Sequence, residues 1–299
     1  MISVLVPVFN SQNYLRNCLN SILSQSFKDF ELIILDDGSI DQSWNIILEY
    51  AKKDSRIIPL RKENEKSISK TRNFLLDQIK GEYFVFIDSD DIIEKDFLKI
   101  LYETAHKSKS DIVACGFKIF HTPTLVRKGY GTRVVKSSKA LEMMMFSGKF
   151  YALWNKLIKT EALKDARFDE SLNYGEDLLF FFNSLKEDIK FTFIDNQLYF
   201  YRIRPNSLSN SGFGDNKKDF LKKIIELSND DKYVEIHDII KIWIYSTARY
   251  YRFETRHAKK ENKEYRQYLK SLIKEYKPYY KNKGGHLTFK ILVSFLSMF

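Results

Sequence analysis

The 299-residue chain is expected to form an α/β domain on an open, mainly parallel sheet, followed by a helical extension. Three observations predict this. Apolar runs of strand length alternate with segments of helical period through the first 120 residues, and after residue 214 the pattern turns helical, aromatic and basic. A content of 44% hydrophobic and 15% aromatic residues supplies a core too large for a stapled miniprotein and too apolar for a disordered chain.

Residues 4–8 form the first strand, and Tyr14, Leu15, Cys18, Leu19, Ile22 and Leu23 then repeat at helical spacing. After a second strand at 32–35 the repeat is Trp44, Ile47, Leu48 and Ala51. After a third at 57–60 it is Ile68, Leu75, Leu76 and Ile79. Strands at 84–87 and 112–117 continue the alternation, and Asp29, Gly38, Ser39, Asp41 and Gly81 supply turns and caps between elements. Beyond residue 120 the pattern is less regular. Short strands are expected at 191–194 and 198–202, with a helix after Glu176, and the polar stretch 206–214 marks a boundary. In such sheets ligands bind beyond the carboxyl ends of the strands, so the polar residues there are the first candidates for function.

Cys18 and Cys115 are too few for a disulfide framework and are expected to be buried free thiols. The N-terminus enters the first strand without a basic leader, so the chain is expected in the cytoplasm. Its net charge of +10 resides in residues 241–299, which hold 14 Lys and Arg against 4 Asp and Glu; residues 1–240 carry 35 of each sign. Trp243, Tyr245, Tyr250, Tyr251 and Phe253 precede Arg256, Lys259, Lys260, Lys263, Arg266 and Lys270. Basic residues interleaved with aromatics suit nucleic acid, but the commoner origin is a helix core with solvated charges, and no nucleic-acid partner is expected. Lys274, Lys277, Lys281 and Lys283 lead into the apolar residues 287–299, well short of the ~20 needed to span a bilayer. The region is expected to rest on an anionic membrane surface, with helix packing or an oligomer contact as the alternative.

The fourth strand runs into Asp88-Ser89-Asp90-Asp91, three carboxylates in four positions. A hard divalent cation relieves their repulsion, and all-oxygen ligation suits Mg²⁺ or Mn²⁺. Acids also cap helices, but their place after a strand favours a ligand site. Asp36 and Asp37 follow the second strand, where a carboxylate can form a turn, accept the imide N–H of uracil or bond a ribose hydroxyl. Beyond Pro7, Phe9 can stack on a base or pack into the core. Lys70 and Arg72, beside Ser67 and Ser69, can neutralise a diphosphate or stand as solvated helix charges.

In this order and spacing, Pro7-Val8-Phe9-Asn10, Asp36-Asp37-Gly38-Ser39, Lys70-Thr71-Arg72-Asn73 and Asp88-Ser89-Asp90-Asp91 resemble the family-two glycosyltransferases of the GT-A fold, a Rossmann-like mixed sheet with flanking helices. The resemblance implies a nucleotide-sugar donor, usually UDP-linked, a divalent metal held by the Asp-X-Asp motif, and inversion at the anomeric carbon. It implies donor contacts at Pro7, Phe9, Asp37, Lys70, Arg72, Asp88 and Ser89, with the metal on Asp90 or Asp91. Tyr174-Gly175-Glu176-Asp177 resembles the family's Glu-Asp pair and makes Asp177 the expected catalytic base. Trp154-Asn155-Lys156-Leu157 and Tyr201-Arg202 resemble features of the acceptor and phosphate sides, to which Glu176 also belongs.

These motifs place a glycosyltransferase domain at 1–214, with a donor-binding half at about 1–120 and an acceptor-side half at about 121–214; residues 215–299 form the basic, aromatic helical region. The implied activity moves one hexosyl or N-acetylhexosaminyl group to a hydroxyl of a growing bacterial surface glycan, such as a capsule or exopolysaccharide. With the basic tail, a lipid-linked acceptor and a peripheral location on the inner face of the membrane are expected. The rival readings are a noncatalytic glycosyltransferase-like partner and a sugar-phosphate nucleotidylyltransferase. The second needs a glycine-rich phosphate loop after the first strand, and residues 7–12 contain no glycine.

Overall fold

Nine strands pair into one mixed sheet in the structure, a computed structural model describing residues 1–120, 132–147, 151–185, 188–203, 214–255 and 263–282. The first half follows the expected alternation: β1 (Ile2–Val8), α1 (Leu15–Leu23), β2 (Phe30–Asp37), α2 (Ser43–Ala51), β3 (Ile57–Lys62), α3 (Ile68–Leu76) and β4 (Tyr83–Phe86). Strands β1 to β4 pair in parallel in the order β3-β2-β1-β4. Every residue of β1 and β2 is buried, because helices cover both faces and nothing forces polar alternation. Cys18 and Cys115 are buried and free, as expected.

The second half departs from the simple alternation. After β5 (Ile92–Ile93), α4 (Phe97–Ser108) and β6 (Ile112–Ile119) come β7 (Arg133–Lys136), α5 (Ser137–Ser147), β8 (Lys156–Lys159), α6 (Glu176–Ser184) and β9 (Lys190–Tyr201). Strand β8 pairs antiparallel with both β4 and β6, separating two strands that a plain crossover would set side by side. The two short strands expected near 191–202 are one strand, β9, whose pairing with β6 shifts register around Gly116. That irregularity interrupts the apolar pattern without ending the strand.

The described residues divide into two compact units. The first comprises those within Met1–Ser137, Ala152–Ser171 and Leu179–Ile203, and it holds the sheet. The second comprises those within Ser138–Tyr151, Leu172–Leu178 and Arg204–Phe299, including α7 (Asp215–Leu227), α8 (His237–Glu254) and α9 (Lys263–Asn282). Trp243, Tyr245, Tyr250 and Tyr251 are core residues there, while Phe253 is exposed. Phe220 meets Trp243 edge-on at 5.5 Å, and buried Lys217 lies under the rings of Tyr174, Tyr250 and Tyr251 at 5.6, 5.9 and 5.9 Å. Lys270, Lys274 and Lys277 are exposed on α9, opposite its buried Leu269, Leu272 and Tyr276. No described helix is long and apolar enough to cross a membrane. Arg256, Lys259, Lys260, Lys283 and the apolar stretch 287–299 lie outside the described residues.

Candidate functional site

Parallel pairing carries the chain past β1, β2 and β4 at one edge of the sheet, with Val8 beside Asp36 and Leu5 beside Phe86. Asn10, just beyond β1, has a φ of 48°, unusual for a residue with a Cβ, and two reciprocal bonds hold it. Its backbone N–H donates to Ser39 Oγ at 2.9 Å, and its Oδ1 accepts the Ile40 N–H at 3.0 Å. Phe9 beside it is 49% exposed at this edge and is not a core residue.

Asp36 and Asp37 are buried at the end of β2, and two basic residues from β3 face them. Arg61 Nε lies 3.0 Å from Asp36 Oδ2, and Lys62 Nζ lies 3.1 Å from Asp37 Oδ1. Burial pushes the Asp36 carboxyl above the usual range, opposed by the Ser39 hydroxyl and Arg61. Gly38 follows at φ 70°, where a Cβ would come within 2.7 Å of the Asn64 backbone nitrogen. Asn64 Nδ2 also donates to the Asp37 carbonyl at 2.8 Å, so this turn requires glycine for both conformation and space.

Helix α3 begins at Ser67, which accepts the Lys70 N–H, and its buried face is largely polar: Ser69, Thr71, Arg72 and Asn73 beside Leu75. Asn73 exchanges bonds with the Phe168 backbone, donating through Nδ2 at 3.1 Å and accepting the Phe168 N–H at 2.8 Å. The Phe168 ring thereby sits under the Arg72 guanidinium, 5.6 Å from ring centre to carbon. Arg72 Nη2 comes within 3.9 Å of Asp88 Oδ1, in reach of the acidic loop. Lys70, expected beside the donor, has its ammonium on Glu65 at 2.7 Å and is part-exposed.

The acidic loop after β4 closes on itself through the Asp91 N–H to the Asp88 carbonyl at 3.0 Å. The Asp88 side chain is 30% exposed, whereas Ser89 and Asp90 are buried and Asp91 is 1% exposed. Ser89 Oγ lies 2.7 Å from Ser11 Oγ, which ties this loop to the one after β1. Asp91 Oδ2 accepts the Tyr199 O–H at 2.7 Å and Oδ1 accepts the Arg202 N–H at 2.7 Å. Burial first, and then the charges of Asp90 and Asp88, push its carboxyl well above the usual range.

Trp154, Asn155 and Lys156, expected on the acceptor side, are buried. The Trp154 ring stacks between Tyr199 and Tyr201, with centroids at 4.4 and 5.4 Å. Asn155 bonds the Cys115 backbone in both directions, and Lys156 Nζ donates to Asn155 Oδ1 and the Ala152 carbonyl. Glu176 and Asp177 open α6, as expected of that helix, and belong to the second unit. Asp177 is buried. Gly175 just before them has a φ of 71°, and a Cβ there would overlap the Phe220 ring at 2.2 Å, so glycine fixes where this helix starts.

Tyr199, Arg61, Lys62 and Asn73 had no role assigned from sequence. Tyr199 had one signal, its place two residues before Tyr201 and so on the same face of a strand. Arg61 and Lys62 also had one, as charges closing an apolar run at the ligand edge. Asn73 works through backbone contacts 95 residues away, which no local pattern reveals.

Five findings relate the chain to known proteins. Residues 3–186 match the family model described as glycosyl transferase family 2. The chain is 33% identical over 219 residues to glycosyltransferase GlyA of Streptococcus pneumoniae, covering 70% of this chain and 31% of that protein. It is 30% identical over 220 residues to the uncharacterized glycosyltransferase EpsJ of Bacillus subtilis, covering 70% and 63%. The matched region thus spans less than two thirds of either relative's length. TarS of Staphylococcus aureus, named a poly(ribitol-phosphate) β-N-acetylglucosaminyltransferase, is 30% identical over 207 residues, covering 68% of this chain and 35% of TarS. A crystal structure of TarS residues 1–349 with UDP-GlcNAc superposes with a TM-score of 0.76 at 21% identity, covering 99% of this chain and 90% of that one. The fold is therefore GT-A.

Proposed function

Because the chain belongs to glycosyl transferase family 2, we propose that it moves one sugar from a UDP-linked donor to a hydroxyl of a growing surface glycan, inverting the anomeric carbon. One observation carries this reading: Phe9, Asp37, Arg72 and the Asp88–Asp91 loop all stand at the carboxyl edge of β1, β2 and β4. Asp37 accepts the uracil imide N–H, Phe9 packs on the base, and Arg72 faces the diphosphate beside Asp88. Relatives named for surface polymers, and TarS with UDP-GlcNAc, support a nucleotide sugar, with N-acetylglucosamine the first donor to try.

The donor set fits a divalent cation shared with the diphosphate. Among the described residues no three His, Cys, Asp or Glu side chains form a group that could hold a metal ion. Mg²⁺ and Mn²⁺ are commonly held by one or two carboxylates plus substrate phosphates, and Asp90 with Asp88 beside it meets that requirement. Such a cation supplies Lewis-acid stabilisation of the leaving diphosphate. Asp177 takes the proton of the acceptor hydroxyl as it attacks, which makes the hydroxyl a competent nucleophile. Arg72 adds fixed positive charge where negative charge grows on the leaving group.

A panel of UDP-sugars with Mn²⁺, scored by UDP release, tests the reading. One sugar should be hydrolysed slowly without acceptor and faster with a glycan acceptor. Release that ignores both sugar identity and cation removes the proposal.

The exposed Lys270, Lys274 and Lys277 of α9 support a peripheral site on anionic lipid, which suits a lipid-linked acceptor. Each lysine near such a surface contributes about 1 kcal/mol, so the triple Glu variant should lose at least about 100-fold in affinity for phosphatidylglycerol vesicles. Unaltered partitioning in a sedimentation assay assigns the stripe to solubility or to an oligomer contact.

A further inference from the structure

Three successive acids of the loop after β4 are bound to the end of β9, and each is bound differently. Asp88 is held by its backbone, its N–H donating to the Tyr199 hydroxyl oxygen at 3.2 Å. Asp90 is also held by its backbone, its carbonyl accepting Arg202 Nε–H at 2.9 Å. Asp91 is held through its carboxylate, with one oxygen on the Tyr199 O–H and the other on the Arg202 backbone N–H. The Tyr199 phenol therefore passes a chain of bonds from Asp88 to Asp91.

The β9 side of this junction is packed among aromatic rings. The Tyr199 ring stacks on Trp154 at 4.4 Å and 24° and meets Phe97 at 6.1 Å. The Arg202 guanidinium lies over the rings of Tyr14 and Phe120, at 4.9 and 4.2 Å. Just after Asp91 the chain enters β5, where Ile92 and Ile93 pair with Phe200 and Tyr199. A displacement of the loop would thus have to break strand pairing, two bonds to one carboxylate and a stacked aromatic group together.

Asp91 is 1% exposed and each of its oxygens already accepts a bond from the β9 end, whereas the Asp88 side chain keeps 30% of its surface open. We propose that Asp91 is a positioning residue: with Tyr199 and Arg202 it latches the acidic loop to β9, aims Asp88 and Asp90 at the cation and diphosphate, and contacts neither itself. This rests on the donor reading above. It divides the acidic motif between two tasks that sequence cannot separate, since adjacent acids look alike there.

The test is Mn²⁺ affinity in the presence of UDP, measured by electron paramagnetic resonance on the full chain. Asp91→Asn keeps an acceptor for the Arg202 N–H but offers an amide N–H₂ to the tyrosine hydroxyl; Tyr199→Phe keeps the stacked ring and removes only the O–H. Each should weaken Mn²⁺–UDP binding by about 10- to 100-fold, the usual cost of losing a partner that orients a ligand. The double variant should be no worse than the weaker single one, because both break the same bond. Asp90→Asn should lose far more. Tyr199→Phe keeps the test independent of whether Asp91→Asn folds, and melting temperatures are read alongside. A fall in melting temperature with unchanged Mn²⁺ affinity in Tyr199→Phe makes the contact merely structural and overturns the latch. A loss in Asp91→Asn as large as that in Asp90→Asn makes Asp91 a ligand and overturns it too. Unaltered protein that binds no Mn²⁺–UDP overturns the donor reading, and the latch with it.

Discussion

Asp177→Asn is expected to bind UDP-sugar and cation as the unaltered protein does, while sugar transfer falls by about 10²- to 10⁴-fold. Asparagine has nearly the shape of aspartate and keeps an acceptor oxygen, but it cannot take a proton from an attacking hydroxyl. Asp177 lies in the first turn of α6, where a negative charge is favoured by about 0.3–1 kcal/mol, and an unchanged melting temperature of the variant shows that the fold survives its loss. A rate loss of that size is therefore not explained by unfolding. Equilibrium titration with UDP-sugar, set against single-turnover transfer, separates the two quantities. Full transfer by the Asn variant would remove Asp177 as base and direct attention to Glu176, its neighbour in the same turn.

The parallel half of the sheet and its ligand edge were legible because their signals are local. A strand buried on both faces reads as an unbroken apolar run, and the residue after it necessarily lies at the carboxyl edge, as with Asp37 and Asp88. The second half was less legible for the opposite reason. Strand β8 begins at Lys156, inside the run Trp154–Leu157 that resembles an acceptor-side motif, and its antiparallel place between β4 and β6 depends on partners more than 40 residues away. Helix α4 carries Phe97, Leu98, Leu101 and Ala105 at helical spacing, a local signal that lies between the strands expected at 84–87 and 112–117. Side-chain roles at the site split in the same way. That Phe9 would be exposed was an even choice from sequence, and its neighbour Asn10 is braced by Ser39 and Ile40, about 30 residues on. Burial of Trp154, Asn155 and Lys156 was equally hidden, since a Trp-Asn-Lys run looks polar enough for a surface. Their partners, Tyr199, Tyr201 and the Cys115 backbone, come from β9 and β6, and only the assembled sheet brings them together.

Asp90→Ala is expected to abolish the enhancement of UDP binding by Mn²⁺, a loss above the 10- to 100-fold typical of a partner that only orients a ligand, while metal-free UDP binding is retained. The two halves of this expectation have separate structural grounds. In the proposed reading, base contacts rest on Phe9 and Asp37, which are placed by the turns of Asn10, Ser39, Gly38 and Asn64. The loop itself should survive the substitution, because Asp90 is tied to β9 through its carbonyl oxygen, which alanine keeps, and Asp91 retains both its bonds. What alanine removes is one of the two carboxylates that the proposed reading gives to the cation. UDP titrations with and without Mn²⁺ therefore converge in the variant and diverge in the unaltered protein. Persistence of the Mn²⁺ enhancement would move the cation to Asp88, which faces Arg72 at 3.9 Å and is the most open acid of the loop.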